Sequence, residues 1–211
     1  MYYWLGESLE FPSHEFSSKE GIIALGGDLS VERLIEAYKN GIFPWFNEGE
    51  PIVWYSPEER MVLFPNEIRI SKSMRQVLRK SDFVITENKA FKEVIIACQQ
   101  IERIDQDGTW ITDDMLNAYL HLHQVGLAKS IEVWCNDQLV GGLYGVDLNN
   151  GVFCGESMFS KKSNMSKVAF IHLAQKGNYK LIDCQVHNSH LESLGAREID
   201  RSEFLKFLNS V

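Results

Sequence analysis

Phe153-Cys154-Gly155-Glu156-Ser157-Met158-Phe159-Ser160 is an apolar, strand-like run with one carboxylate inside it. Leu181-Ile182-Asp183-Cys184-Gln185-Val186 repeats the arrangement further along. Runs of this kind read as strands buried on both faces. A carboxylate inside such a strand is costly unless it is paired or hydrogen-bonded, so one such position asks for a partner and two ask for a site. Backbone N–H groups or a basic side chain could satisfy both acids; the other reading is that they converge on a reacting group. Asp183 and Gln185 are two apart, which on a regular strand points both side chains to one face.

Outward from these runs, residues 130–134, 138–146 and 152–159 form a predicted antiparallel meander, turning at Asn136-Asp137 and at Asn149-Asn150-Gly151. A helix is predicted over 164–176, a strand over 181–186 and a last helix near 202–208. Upstream, Ser71 or Ser73 caps a helix that runs through Lys80, 84–86 reads as a strand, and Asn88 caps a helix burying Phe91, Val94, Ile95 and Cys98. Thr112 caps the next, with Asp113 and Asp114 in its first turn and Met115, Ala118, Tyr119 and Leu122 inward; Gly126 ends it. Gly26-Gly27-Asp28-Leu29-Ser30 is a turn leading into a helix with Val31, Leu34, Ile35 and Tyr38 inward, stopped by Asn40-Gly41. It lacks the Lys-Ser/Thr ending of a phosphate-binding loop. Residues 42–60 are rich in aromatics and proline and read as an irregular boundary. The predicted organisation is a small N-terminal domain, 1–59, and a larger one, 60–211. Helix, helix, three antiparallel strands, helix, strand is the order of an α+β, acetyltransferase-like fold.

Composition narrows the function. With 45% apolar and 24% charged residues the chain reads as an ordinary globular protein. A signal peptide and a membrane span are not expected. Cys98, Cys135, Cys154 and Cys184 are scattered and fit small buried side chains in a reducing compartment. His121, His123, His187 and His190 are too sparse to suggest a metal, and none is expected. The net charge of −8 argues against a generic nucleic-acid binder. From Arg60 to Ser81, however, six basic residues (Arg60, Arg69, Lys72, Arg75, Arg79, Lys80) face one acid, Glu67, leaving −13 for the rest. Such a patch could dock one RNA stem, or be a solvated helix face.

Gly41-Ile42-Phe43-Pro44-Trp45-Phe46, Trp54-Tyr55-Ser56-Pro57, Gly108-Thr109-Trp110-Ile111-Thr112 and Ser193-Leu194-Gly195-Ala196 complete a set with the two opening runs. Leu25-Gly26-Gly27-Asp28-Leu29-Ser30 and Gly141-Gly142-Leu143-Tyr144-Gly145 belong to it too. Together, and in this order, they resemble the bacterial leucyl/phenylalanyl-tRNA–protein transferases, from about Phe11 onward. The resemblance implies a GNAT-like larger domain with a mixed, largely antiparallel sheet flanked by helices. It implies transfer of leucine or phenylalanine, and less well methionine, from leucyl-tRNA or phenylalanyl-tRNA to proteins whose first residue is Arg or Lys. The product is a degradation signal, the compartment the cytoplasm, and the enzyme a monomer.

By the same resemblance, Asp183 and Gln185 polarise and contact the attacking amine, and Glu156 orders the site. Leu143, Phe153, Met158, Leu173 and Ile182 form the aminoacyl pocket, and a short Gly177-Asn178-Tyr179 connection follows the helix that carries Leu173. Trp45 and Trp110 line the terminal adenosine's site, and Lys72, Arg75, Arg79 and Lys80 hold tRNA. An aminoacyl ester is already activated, so the chemistry needs no ATP, cofactor or metal; it needs orientation, a proton acceptor and a stabilised oxyanion. Two other readings remain. One is an acyl-coenzyme A acetyltransferase, which the glycine-free segment from Ser160 to Lys167 disfavours. The other is a non-catalytic tRNA-binding module.

Overall fold

A computed structural model describes residues 2–80, 82–101, 110–176 and 179–209. Gly108, Thr109, Gly177 and Asn178, singled out above, lie outside them. In chain order the elements are β1 (Trp4–Leu5), β2 (Ile22–Gly26), α1 (Val31–Lys39), β3 (Phe43–Pro44), β4 (Val53–Tyr55) and β5 (Glu59–Leu63). Then come α2 (Lys72–Lys80), β6 (Val84–Glu87), α3 (Phe91–Gln100), α4 (Asp113–Gln124), β7 (Ala128–Cys135), β8 (Gln138–Asp147) and β9 (Val152–Ser160). The chain finishes with α5 (Met165–Gln175), β10 (Leu181–Gln185), α6 (Ser189–Ser193), β11 (Arg197–Asp200) and α7 (Arg201–Asn209).

These strands form two sheets. One, of four strands, has the order β1-β2-β4-β3; the other, of seven, runs β11-β5-β10-β9-β8-β7-β6. In the larger sheet β10 and β9 are parallel and the other neighbouring pairs antiparallel. The fold is thus α+β, with a mixed, largely antiparallel sheet and helices on both faces. Alternation along the strands sorts two cores. Met61, Leu63, Leu143, Phe153 and Ile182 pack with α5 and Met74 of α2, whereas Val62, Tyr144, Val146 and Cys154 pack with α3, α4, α7 and the smaller sheet.

Several local expectations change. Residues 42–60 are not irregular: β3 and β4 complete the smaller sheet and β5 enters the larger one. Asn88 does not cap α3. It has φ +57 and its side chain accepts the Ser130 N–H at 2.9 Å, while Ala90 occupies the cap without a side-chain bond. Ser30 and Thr112 cap α1 and α4 as their chemistry predicts. Arg60 does not belong to the basic surface: it is 1% exposed.

Candidate active site

The site exists because β9 and β10 part company. Their parallel pairing runs from Leu181–Val152 to Asp183–Cys154. Just beyond, β9 shifts register against β8 so that Glu156 has no cross-strand partner, and β10 shifts against β5 between Asp183 and Gln185. A bulge inserts one residue and reverses the alternation after it. Without that reversal Met158 would share a face with Cys154; with it, Met158 sits opposite Leu143 and joins the α5 core. Gly145, across from the first bulge, has no room for a side chain, since a Cβ there would lie 2.3 Å from the Cys154 carbonyl oxygen.

The opening leads into a cavity of about 600 Å³, within the usual span for small-molecule sites of roughly 300–1,000 Å³. Leu143, Phe153, Met158, Leu173 and Ile182 line it from the α5 side, and Phe170, which the sequence did not single out, joins them. Glu156, Asp183 and Gln185 line it too, as do Trp45 and Trp110. Lys72, Arg75, Arg79 and Lys80 are elsewhere, exposed on α2, with the Arg75 guanidinium bound to the Ile70 carbonyl at 3.1 Å.

Asp183 and Gln185 do not follow simple alternation. Gln185 has φ +64, a conformation few side chains adopt, and its backbone N–H donates to Asp183 Oδ1 at 2.8 Å. Asp183 is fully buried, and Arg60 grips both its oxygens, Nε to Oδ1 at 2.8 Å and Nη2 to Oδ2 at 2.6 Å. The guanidinium also donates to the Gly41 carbonyl and lies between the rings of Phe43 (4.7 Å) and Phe204 (4.6 Å). Burial would pull the Arg60 pKa down, but the Asp183 carboxylate more than offsets it. This is a locked bidentate pair.

Glu156 is held differently. Its Oε1 accepts from the Tyr38 hydroxyl at 2.7 Å and from Gln185 Nε2 at 2.8 Å, and its Oε2 from the Tyr119 hydroxyl at 2.9 Å. The two phenols also hydrogen-bond to each other. Three oxygen–oxygen contacts close this triangle and two phenols supply two hydrogens, so with Glu156 ionised one contact carries none, and a proton taken up by Glu156, with one phenol bond reversed, fills it. The electrostatics agree. Burial pushes the Glu156 carboxyl up to about 7 despite the phenols' hydrogen bonds, with the Asp183 charge adding and Arg60 subtracting. Burial also raises both phenols.

In the sequence Tyr38 and Tyr119 show only as inward-facing helix positions. A buried phenol needs a polar partner, and that was the available signal. The thiols beside the site are inert. Burial pushes Cys154 and Cys184 well up, so neither offers a thiolate nucleophile at neutral pH. Among the described residues no group of three His, Cys, Asp or Glu side chains could hold a metal ion.

Comparison with known proteins fits this geometry. A family model described as leucyl/phenylalanyl-tRNA protein transferase matches residues 62–209, and that family's N-terminal domain matches residues 27–58. The chain belongs to this family. A leucyl/phenylalanyl-tRNA–protein transferase of Flavobacterium johnsoniae is 62% identical over 211 residues, covering 99% of both chains. One from Syntrophobacter fumaroxidans is 51% identical, covering 97% of this chain and 88% of its own. Among solved structures, FemX aligns at 10% identity with a TM-score of 0.48, over 81% of this chain and 66% of its own.

Proposed function

We propose that this protein transfers leucine or phenylalanine, and less well methionine, from aminoacyl-tRNA to the α-amine of proteins beginning with Arg or Lys. The observation that carries the reading is the single cavity in which an apolar end, a carboxyl group with a pKa near 7 and two tryptophans meet. A leucine or phenylalanine side chain fills the apolar end, a burial worth about 1.5–3 kcal/mol. Trp45 and Trp110 take the terminal adenosine by stacking.

The amine nitrogen attacks the ester carbonyl carbon. As the C–N bond forms the amine's proton goes to Glu156, and as the ester C–O bond breaks Glu156 returns a proton to the departing tRNA ribose oxygen. Glu156 suits proton acceptance better than Asp183, whose oxygens Arg60 occupies. Gaining that proton also gives the phenol triangle its third hydrogen. Gln185, with its nitrogen bonded to Glu156, keeps its amide oxygen for the incoming amine. Asp183 and Arg60 fix the backbone turn that presents Gln185.

A tRNA stem docks on Lys72, Arg75, Arg79 and Lys80 through its phosphates. The enzyme works as a monomer in the cytoplasm, its 1–59 domain lending Trp45 to the 60–211 catalytic domain, and its product marks proteins for degradation. No described helix is long and apolar enough to cross a membrane. Coenzyme A is disfavoured by one further observation. The Met165 and Ser166 N–H groups that open α5, where a pyrophosphate would dock, are both bound by Ser160 Oγ, at 3.1 and 3.2 Å.

Labelled phenylalanyl-tRNA mixed with an Arg-initiated peptide tests the reading. Label on the peptide supports it. Binding without transfer supports an RNA-binding module, and acetylation by acetyl-coenzyme A supports the other enzyme.

A further inference from the structure

The Arg60–Asp183 pair leaves Glu156 as the cavity's uncompensated acid, which is little to select a cationic acceptor. The smaller sheet offers more. Trp4 pairs with Leu25 and Leu25 with Val53, and the Trp45 N–H bonds the Val53 carbonyl. Cross-strand neighbours share a face, so Trp4, Leu25, Val53 and Trp45 form one row across the sheet. Ala24 and Trp54 form the row on one side of it and Leu5, opposite Gly26, lies on the other, all three turned to the buried side. The first row is open: Trp4 is 61% exposed and Leu25, Val53 and Trp45 are half-buried.

Trp45 at one end lines the cavity. Its ring lies 5.7 Å from Tyr55, and Tyr55 is close enough to Glu50 and Tyr2 that both add to the upward push that burial gives its phenol. Glu50 brings an acid to this face, and the segment that builds it is acidic. Through Tyr55 the chain carries nine acidic residues against three basic ones, and one of the three, Arg33, is fully buried. Exposed aromatics on an acidic layer attract cations and repel phosphates.

We propose that this open face, from Trp45 past Tyr55 to Trp4, receives the acceptor polypeptide, as an extended, basic segment running on from its first residue. This rests on the transferase reading and deepens it. RNA takes the basic α2 face and the polypeptide the acidic, aromatic face that ends at the cavity in Trp45. Three inter-strand steps separate Trp45 from Trp4, about 14 Å. An extended chain at about 3.3 Å per residue covers that in roughly four residues.

The test uses acceptors that begin with Arg, from a dipeptide amide to an octapeptide, each with Lys among the added residues, and phenylalanyl-tRNA as donor. KM should fall with length and level off near five residues. Trp4→Ala should raise KM for the octapeptide about fivefold, the loss of one cation–aromatic contact of about 1 kcal/mol. It should leave KM for the dipeptide amide and for phenylalanyl-tRNA unchanged. Glu50→Lys, on an exposed loop, should raise the octapeptide KM too, and keeps the test open if the Trp4 variant misfolds. Length-independent KM values, or variants that leave the octapeptide unaffected, overturn the proposal. A raised KM for phenylalanyl-tRNA with the octapeptide unchanged overturns it in favour of an RNA-stacking face. Absence of transfer to every one of these acceptors by the unaltered enzyme is a failure of the transferase reading instead.

Discussion

Glu156 and Asp183 are both acids buried in strands, and their neighbours give them opposite characters. Arg60 fixes Asp183 in a bidentate pair, whereas Glu156 meets phenols and an amide and shares a proton with them. Glu156 should therefore titrate in the working range. Turnover with an Arg-initiated peptide should rise with pH through about 7, merging with the α-amine's own step near about 7.7–8.0. Glu156→Gln should be slow throughout and keep only the amine's step in its pH–rate profile. Stability runs the other way. A carboxyl whose pKa rises on folding stabilises the fold fully below its unfolded value and loses that contribution as pH climbs through the folded one. Wild type should thus weaken relative to Glu156→Gln from 4.5 up to about 7, as denaturant midpoints at several pH values would record. Asp183→Asn faces a different cost, because it strands a buried guanidinium. It should lose about 3–5 kcal/mol in urea unfolding, and Arg60→Met with Asp183→Leu should recover much of that without recovering transfer.

Among elements, β9 and β10 did in the sequence what they do in the structure, as far as composition could say. Their apolar runs announced buried strands, and their acids announced a site. The bulges were not legible, because a one-residue register shift leaves no compositional trace and depends on what the neighbouring strand offers. Gln185 shows the limit. Its spacing from Asp183 predicted a shared face, and the left-handed turn between them replaced alternation as the reason both reach the cavity. β3, β4 and β5 were missed for another reason: each is five residues or fewer, and Pro44 and the flanking prolines hid the pattern; β11 is four residues, too short to show one. Arg60 was misplaced because a linear charge count cannot tell a buried cation from an exposed one. At this scale Gly145→Ala tests the opening. The new Cβ must push the Cys154 carbonyl away, so transfer should fall at least tenfold while circular dichroism still reports a folded protein. For α2, Arg79→Ala with Lys80→Ala should raise KM for aminoacyl-tRNA and flatten its salt dependence by up to about two units of slope. An aminoacyl-adenosine donor should react as before; equal loss with both donors would remove α2 from tRNA docking.

Across the whole molecule the cavity depends on parts far apart in the chain. Tyr38 comes from α1, Tyr119 from α4 and Arg60 from β5, and Arg60 is roofed by Phe204 of α7. Gly41 fits against the same helix, where a Cβ would lie 2.9 Å from Leu205 and 3.0 Å from Phe204. Phe204→Ala should therefore cost about 3–5 kcal/mol in thermal or urea unfolding. Transfer should fall as well, although Phe204 does not line the cavity, because the guanidinium that steadies Asp183 loses its cover. The order of synthesis gives that roof another meaning. A ribosome makes α7 after every strand and helix bearing a catalytic side chain, and until it folds back the Arg60–Asp183 pair stays open to water. The nascent chain, itself a polypeptide surrounded by free amines and charged tRNA, thus holds every reactive group before it can use them. Competence waits on α7, a helix that covers the Arg60–Asp183 pair and lines no part of the cavity.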